Sequence, residues 1–191
     1  MNVNVIAAKG TIDINADHII NTEYVSVKQD QTFYNVNFNK VTSNITRGAV
    51  FKVSYTTNAN SILRIVESNI SDYNILGNSL FDTQNVITEF ENTTITDNTT
   101  NNSLFNNAGT VEFLYTTIEG NNVALDFIRS ANANSVINIL DGNEFNDNIV
   151  GGHFIYALNG ITFDGSSNIS RNTFNNNNEA KPFIWSNASE P

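Results

Sequence analysis

The sequence predicts an all-β chain wound as a single-stranded, right-handed parallel β-helix of about six to seven rungs. Three observations lead there. An apolar residue is followed by Asn, usually three positions later, six times along the 191 residues, and an apolar pair arrives six residues after each such Asn. The copies begin 29, 25, 23, 27 and 29 residues apart, within the range that marks stacked repeats. A further apolar element follows most pairs and alternates apolar with polar residues, the period of a half-buried strand.

In chain order, Ile12-Asp-Ile14, Val25-Ser-Val27 and Val36-Asn-Phe38 alternate like strands, so residues 1–40 are expected to form one or two irregular first rungs. Residues 41–191 carry the repeat and continue the same β-helix as one domain. The copies are Val41-Thr-Ser-Asn44 with Val50-Phe51, and Ile70-Ser-Asp-Tyr-Asn74 with Leu80-Phe81, the second needing a one-residue insertion. Ile95-Thr-Asp-Asn98 precedes Leu104-Phe105, and Ile118-Glu-Gly-Asn121 precedes Phe127-Ile128. Phe145-Asn-Asp-Asn148 leads to Phe154-Ile155, and Phe174-Asn-Asn-Asn177 to Phe183-Ile184. The third elements run Ile62–Ile65, Val86–Phe90, Val111–Phe113, Val136–Ile139 and Ile161–Phe163. Gly, Asn, Asp and Ser gather between the elements, where sharp turns need positive φ. Helical periodicity is absent, and both prolines fall in the last ten residues.

Stacking gives the repeated Asn a physical role. Rungs lie about 4.8 Å apart, which puts equivalent residues of successive turns one above another. An inward Asn at a turn can bond to the next Asn and to turn backbone groups, forming a ladder. Asn44, Asn74, Asn98, Asn121, Asn148 and Asn177 are the expected ladder residues, with a parallel column of Val, Ile and Phe three positions earlier.

Composition narrows the functional classes. The formal charge is -10 with only nine Lys and Arg, so the basic footprint that nucleic acid or an anionic lipid surface requires is missing. Cysteine is absent, which removes disulfides, thiolate catalysis and Cys-based metal sites. Apolar runs are too short to span a bilayer as helices. Asn supplies 36 of the residues, yet the apolar positions between them are regular, which argues for a fold over low-complexity disorder. The opening Met1-Asn-Val-Asn-Val-Ile lacks the pattern of a secretion signal. The repeat runs almost to Pro191 without a polar cap, so a segment of a longer protein is expected.

Candidate chemistry is sparse. Parallel β-helices also serve enzymes acting on polysaccharides, which use two carboxyl groups across the scissile bond. Asp72, Asp97 and Asp147 occupy equivalent positions, with Asp141 and Glu144 nearby, and would line up along one edge. They lie in Asx-rich turns just before the ladder Asn, where Asp chiefly stabilises the turn. No catalytic residue and no cofactor is therefore assigned. Calcium is the one cation that turn carboxylates and carbonyls would suit, although no EF-hand loop is present. His18 and His153 stand alone, outside any triad or zinc pattern. Gly151-Gly152 has no following Lys-Ser/Thr, so it reads as a tight turn and not a phosphate loop. Tyr156 and Trp185 directly follow equivalent apolar pairs, so an outward Tyr over Trp would make a surface stacking site. Asn-x-Ser/Thr sequons begin at Asn44, Asn69, Asn92, Asn98, Asn101, Asn168 and Asn187. Those at Asn44 and Asn98 coincide with the expected inward ladder.

Over residues 36–186 the repeat resembles that of chlamydial polymorphic outer-membrane proteins, which combine a Phe-x-x-Asn motif with a Gly-Gly-Ala-Ile motif. Phe145–Asn148 and Phe174–Asn177 match the first fully, and the copies at Val41, Ile95 and Ile118 replace Phe by an aliphatic residue. Gly48-Ala49-Val50 and Gly151–Ile155 match the second in part. The composition is also similar to Asn-rich adhesin-like surface proteins of methanogenic archaea and some protists. The resemblance implies a pectin-lyase-like β-helix displayed outside the cell or at its surface and adhesive in role, with partners on a host-cell, glycan or protein surface. The expected function is thus a non-enzymatic stiff spacer and binding surface of an adhesin or surface-layer protein. A carbohydrate-active β-helix, a lyase, hydrolase or tail-spike depolymerase, is the alternative.

Overall fold

The computed structural model describes residues 10–14, 31–34, 36–40, 49–53, 62–174 and 183–186. Every regular element among them is a strand, and every pairing between strands is parallel. The first sheet orders seven short strands as Gly10–Ile14, Val36–Lys40, Asn69–Ser71, Thr94–Thr96, Thr117–Glu119, Glu144–Asn146 and Asn168–Ser170. The second stacks the two-residue strands Asn74–Ile75, Thr99–Thr100, Asn122–Val123, Ile149–Val150 and Thr173–Phe174. The third contains the long strands Phe81–Glu91 and Phe105–Leu114, continued by Ile128–Ser130, Ile155–Ala157 and Ile184–Ser186. This is a parallel β-solenoid. Among the described residues all three sides are present for about five turns, against the six to seven expected for the whole chain.

Single left-handed residues make two of the corners. Asp72, Asp97, Gly120, Asp147 and Arg171 have φ of 65°, 56°, 68°, 53° and 56° and join the first sheet to the second. Glu67, Asn92, Tyr115, Gly142 and Gly165, with φ between 47° and 79°, join the third sheet to the first. Asp, Asn and Gly tolerate this region best, which explains the turn-forming composition between strands. Each three-residue strand of the first sheet from Asn69 onward is therefore bracketed by two sharp corners.

Inside the first corner runs the asparagine column. Asn98 donates its backbone N–H and its Nδ2 to Asn121 Oδ1, both at 3.0 Å. Asn121 repeats this toward Asn148 Oδ1 at 3.0 and 2.9 Å, and Asn148 toward Asn172 Oδ1 at 2.9 Å each. Each Nδ2 also donates across to a strand carbonyl: Asn98 to Ile70, Asn121 to Ile95, Asn148 to Ile118, and Asn172 to Phe145. Asn98, Asn121 and Asn148 are completely buried.

The column's membership corrects the expected list. Asn74 pairs with Thr99 and stands one residue beyond the column; Tyr73 takes the ladder place, its backbone N–H donating to Asn98 Oδ1 at 3.1 Å. The insertion assumed for this copy does not exist, because Ile70-Ser-Asp-Tyr73 has the standard spacing with Tyr in place of Asn. Asn172, not Asn177, sits over Asn148, because Phe145 pairs with Ile169 while Phe174 pairs with Val150. Phe38, not Val41, pairs with Ile70 in the apolar column. Asn44 and Asn177 themselves lie outside the described residues. Tyr73 brings a cost: its hydroxyl is buried with no partner among the described residues, and burial pushes its pKa well above the usual phenol value.

A second polar column, not anticipated, lines the other corner. Thr116 N–H donates to Asn143 Oδ1 at 2.9 Å, and Asn143 N–H to Ser167 Oγ at 3.3 Å. Thr93 Oγ1 donates to the carbonyls of Ile65 and Glu91. Between the columns the interior is apolar. Phe51, Phe81 and Phe105 stack with centroids 4.5 and 5.2 Å apart, and Phe127, Phe154 and Phe183 with 5.0 and 4.9 Å. The two stacks are different columns. Leu80-Phe81 and Leu104-Phe105 give way to Phe127-Ile128 and Phe154-Ile155, so the ring changes place while the pair keeps its bulk. Volume-conserving exchange of this kind is what a close-packed core tolerates.

Removing a column side chain leaves buried donors and acceptors unpaired, each costing about 1–3 kcal/mol. Asn121→Ala is accordingly expected to lower unfolding free energy by about 3 kcal/mol or more. Asn122→Ala, next in sequence at an exposed strand position, should cost under about 1 kcal/mol. Urea unfolding of the two variants measures the contrast.

Candidate functional site

Along the third sheet the residues after Phe105, Ile128 and Ile155 face outward, since those three are buried and their successors are partly exposed, while Asp82 after Phe81 is itself covered. Register places Asp82, Asn106, Arg129, Tyr156 and Trp185 in single file down this face. Asn106 Nδ2 donates to Asp82 Oδ1 at 2.9 Å. Tyr156 and Trp185 stack nearly parallel, centroids 4.4 Å apart at 7°. Arg129 covers the ring of Tyr156 from the preceding turn, its Cζ 4.5 Å from the centroid. Tyr156 is thus enclosed on both faces and offers its edge outward. The Tyr–Trp pair expected from sequence is part of a longer guanidinium–phenol–indole stack.

What holds the stack is Asp126, one residue before its apolar pair. Its carboxylate accepts from Arg129 Nη1 at 2.7 Å and from the backbone N–H of His153 at 2.9 Å, and lies 2.8 Å from His153 Nδ1. The Asp126 side chain is only 7% exposed and that of His153 13%. Burial raises the Asp126 pKa, but hydrogen bonds from the His153 backbone, the His153 ring and Arg129 together outweigh it and hold the carboxyl below its usual value. The turn Gly151-Gly152 is shaped around this carboxylate: a Cβ on Gly152 would sit 2.5 Å from Asp126 Oδ1, and one on Gly151 2.2 Å from the Ala124 carbonyl. His153, which looked isolated in sequence, therefore has a carboxylate partner 27 residues earlier. Asp126 and Arg129 escaped the sequence reading, although Asp126 precedes Phe127-Ile128 just as His153 precedes Phe154-Ile155.

The carboxylates considered for hydrolysis are placed differently. Asp72, Asp97 and Asp147 all occupy the left-handed corner, with Gly120 between the last two. Asp72 and Asp97 are on adjacent turns, while Asp147 faces Arg171, whose Nε and Nη2 donate to its two oxygens at 2.8 and 2.7 Å. The Arg171 hydrogen bonds hold the Asp147 carboxyl below its ordinary pKa. Asp141 accepts from Ser166 N–H at 2.8 Å and Oγ at 3.0 Å, which lowers its pKa likewise. Glu144 is an exposed residue of the first sheet. Among the described residues no group of three His, Asp or Glu side chains is arranged to hold a metal ion such as calcium. No helix among them is long and apolar enough to cross a membrane. Of the sequon asparagines, Asn98 is buried in the column while Asn92, Asn101 and Asn168 are exposed; His18, Asn44 and Asn187 lie outside the described residues.

Comparison with protein-family models, curated proteins and solved structures returned no match to this chain.

Because the Asp126 pKa is lowered in the folded chain, its contribution to stability is complete above the ordinary Asp value near 3.9 and disappears as pH falls through the lowered value. Stability should therefore drop between about pH 5 and pH 2, and drop less in Asp126→Asn. Urea midpoints across that range provide the check. A constant difference between the two chains would contradict the assignment.

Proposed function

We propose that this chain is a non-enzymatic β-helical segment of a cell-surface adhesin or surface-layer protein, a stiff spacer that also presents a binding face outside the cell. The single-file outward strip, in which Arg129, held by Asp126, covers Tyr156 and Tyr156 stacks on Trp185, is the observation that carries the reading. A solenoid suits it mechanically. Five turns at about 4.8 Å give a rod section of roughly 24 Å whose side chains recur at the strand spacing. Weak contacts repeated along one face add through effective concentration. Aromatic edges beside a guanidinium engage glycan and protein surfaces alike, and the partners proposed are host-cell, glycan or protein surfaces.

The carbohydrate-active alternative finds less support. Its candidate carboxylates sit at left-handed turn positions, and Asp147 is already engaged by Arg171. An acid catalyst needs a raised pKa, whereas that of Asp147 is lowered. The resemblance to polymorphic outer-membrane and Asn-rich adhesin repeats points in the same direction as the binding reading.

The test is display of the segment on beads, with cell and glycan binding scored alongside polysaccharide turnover. Binding without turnover is expected, falling at least fivefold in Trp185→Ala and unaltered in Asp147→Asn. Turnover abolished by Asp147→Asn would instead establish the enzyme reading.

A further inference from the structure

The long strand Phe81–Glu91 carries one residue more than its neighbour at mid-length. Ala108 pairs with Gln84 and Thr110 with Ile87, so Asn85 and Val86 oppose Gly109 alone. Asn85 takes up the bulge in the left-handed region, φ 54°. Gly109 permits the close approach that results, since a Cβ there would lie 2.2 Å from the Val86 carbonyl oxygen. One turn further on, the segment linking Ile128–Ser130 to Val136–Ile139 loops outward. That loop is closed by Ser135 N–H to the Asn132 carbonyl and Asn134 N–H to Asn132 Oδ1, both 3.0 Å. Bulge and loop wall a recess of about 400 Å³ that opens on the same outward face as the stack, lined by Gln84, Asn106, Asn132 and the small side chains of Ala108 and Ala131.

We propose that this recess is a binding site for a neutral, hydroxyl-rich ligand, a short uncharged saccharide segment. The inference rests on the binding-surface reading above and names the part of the face that binds. Size is the first argument: the volume falls within the range of small-ligand sites. The lining is the second. It holds carboxamides and alanines and no ionisable side chain. A carboxamide offers a donor and an acceptor side by side, the match for adjacent hydroxyl groups. The nearest charges, Asp82 and Arg129, border the recess and are already engaged by Asn106 and Asp126, so a phosphate, carboxylate or ammonium finds no free counter-charge in the lining, and the net charge of -10 repels anions further. A protein partner would be expected to require an apolar, aromatic centre, which this lining lacks.

The floor is also fixed in advance. Asn107 turns inward and is 3% exposed. Its Oδ1 accepts from Gly109 N–H at 3.1 Å and Thr83 Oγ1 at 3.2 Å, and its Nδ2 donates to the Gly109 carbonyl at 2.8 Å. A rigid floor reduces the ordering cost of binding. Asn106 pairs in register with Arg129, so the recess leads directly onto the Arg129–Tyr156–Trp185 stack, where a longer saccharide would meet ring edges.

The test is an NMR titration of the isotope-labelled chain with cellotetraose, maltotetraose, chitotetraose and, as the anionic comparison, tetragalacturonate. At least one neutral probe is expected to shift the side-chain amide signals of Gln84, Asn106 and Asn132. Its affinity should fall at least tenfold both in Gln84→Ala/Asn132→Ala and in Ala108→Phe, which fills the recess; urea midpoints identify any variant that fails to fold. Binding of tetragalacturonate alone, of a protein partner alone, or of no probe overturns the proposal. A neutral probe that survives Ala108→Phe but is lost in Trp185→Ala also overturns the recess, while leaving the binding-surface reading intact.

Discussion

At the corners after Asn69–Ser71, Thr94–Thr96, Thr117–Glu119 and Glu144–Asn146, a backbone N–H points into an interior from which water is excluded. An asparagine one turn further along supplies the oxygen that accepts it. Because Asn121 takes two donors from Asn98 and sends two to Asn148, each turn can close only against its neighbour at the same register. A slip by one residue would bury several unpaired polar groups, each at about 1–3 kcal/mol. Fixed register at this edge sets it at the other two sides. It thereby brings Arg129, Tyr156 and Trp185 into one file and the recess beside them.

Packing obeys the same constraint in a more forgiving way. Leu-Phe becomes Phe-Ile between the turns at Phe105 and Phe127, and the rings cross over edge-to-face at 6.4 Å and 70°. The core asks for volume and the corner asks for chemistry. Tyr73 illustrates the difference: in the asparagine place it keeps the backbone bond and fills the space, but it brings no amide to the column and leaves its hydroxyl unmatched among the described residues.

Much of the architecture was legible in the sequence because its two strongest signals are physical requirements. The pairs beginning at Val50, Leu80, Leu104, Phe127 and Phe154 carry the register, since every one buries a stacked residue, and Phe183 of the last pair stacks on Phe154 while staying partly exposed. The column was read correctly at Asn98, Asn121 and Asn148, where an apolar residue, a left-handed Asp or Gly and Asn occur together. It was misread where only an apolar residue and Asn were matched, because Asn is frequent enough to supply a decoy at Asn74, and the place over Asn148 is filled by Asn172. The left-handed residue is the better guide. Asp72 marks Tyr73 as the ladder place, and Arg171 marks Asn172.

The outward face was only half legible. Tyr156 and Trp185 are equivalent by position, whereas Asp126, Arg129 and His153 cooperate through side-chain reach across two turns, which no spacing rule states. The recess depends on one extra residue in one strand and an enlarged loop in the next turn. Such irregularities read as noise in a repeat.

The most direct measurement of the amide column is hydrogen exchange at the side-chain NH2 groups of Asn98, Asn121 and Asn148. The account predicts that these exchange only with global unfolding, with an opening free energy equal to that of the buried strand amides. Exchange as fast as at exposed Asn122 would contradict it.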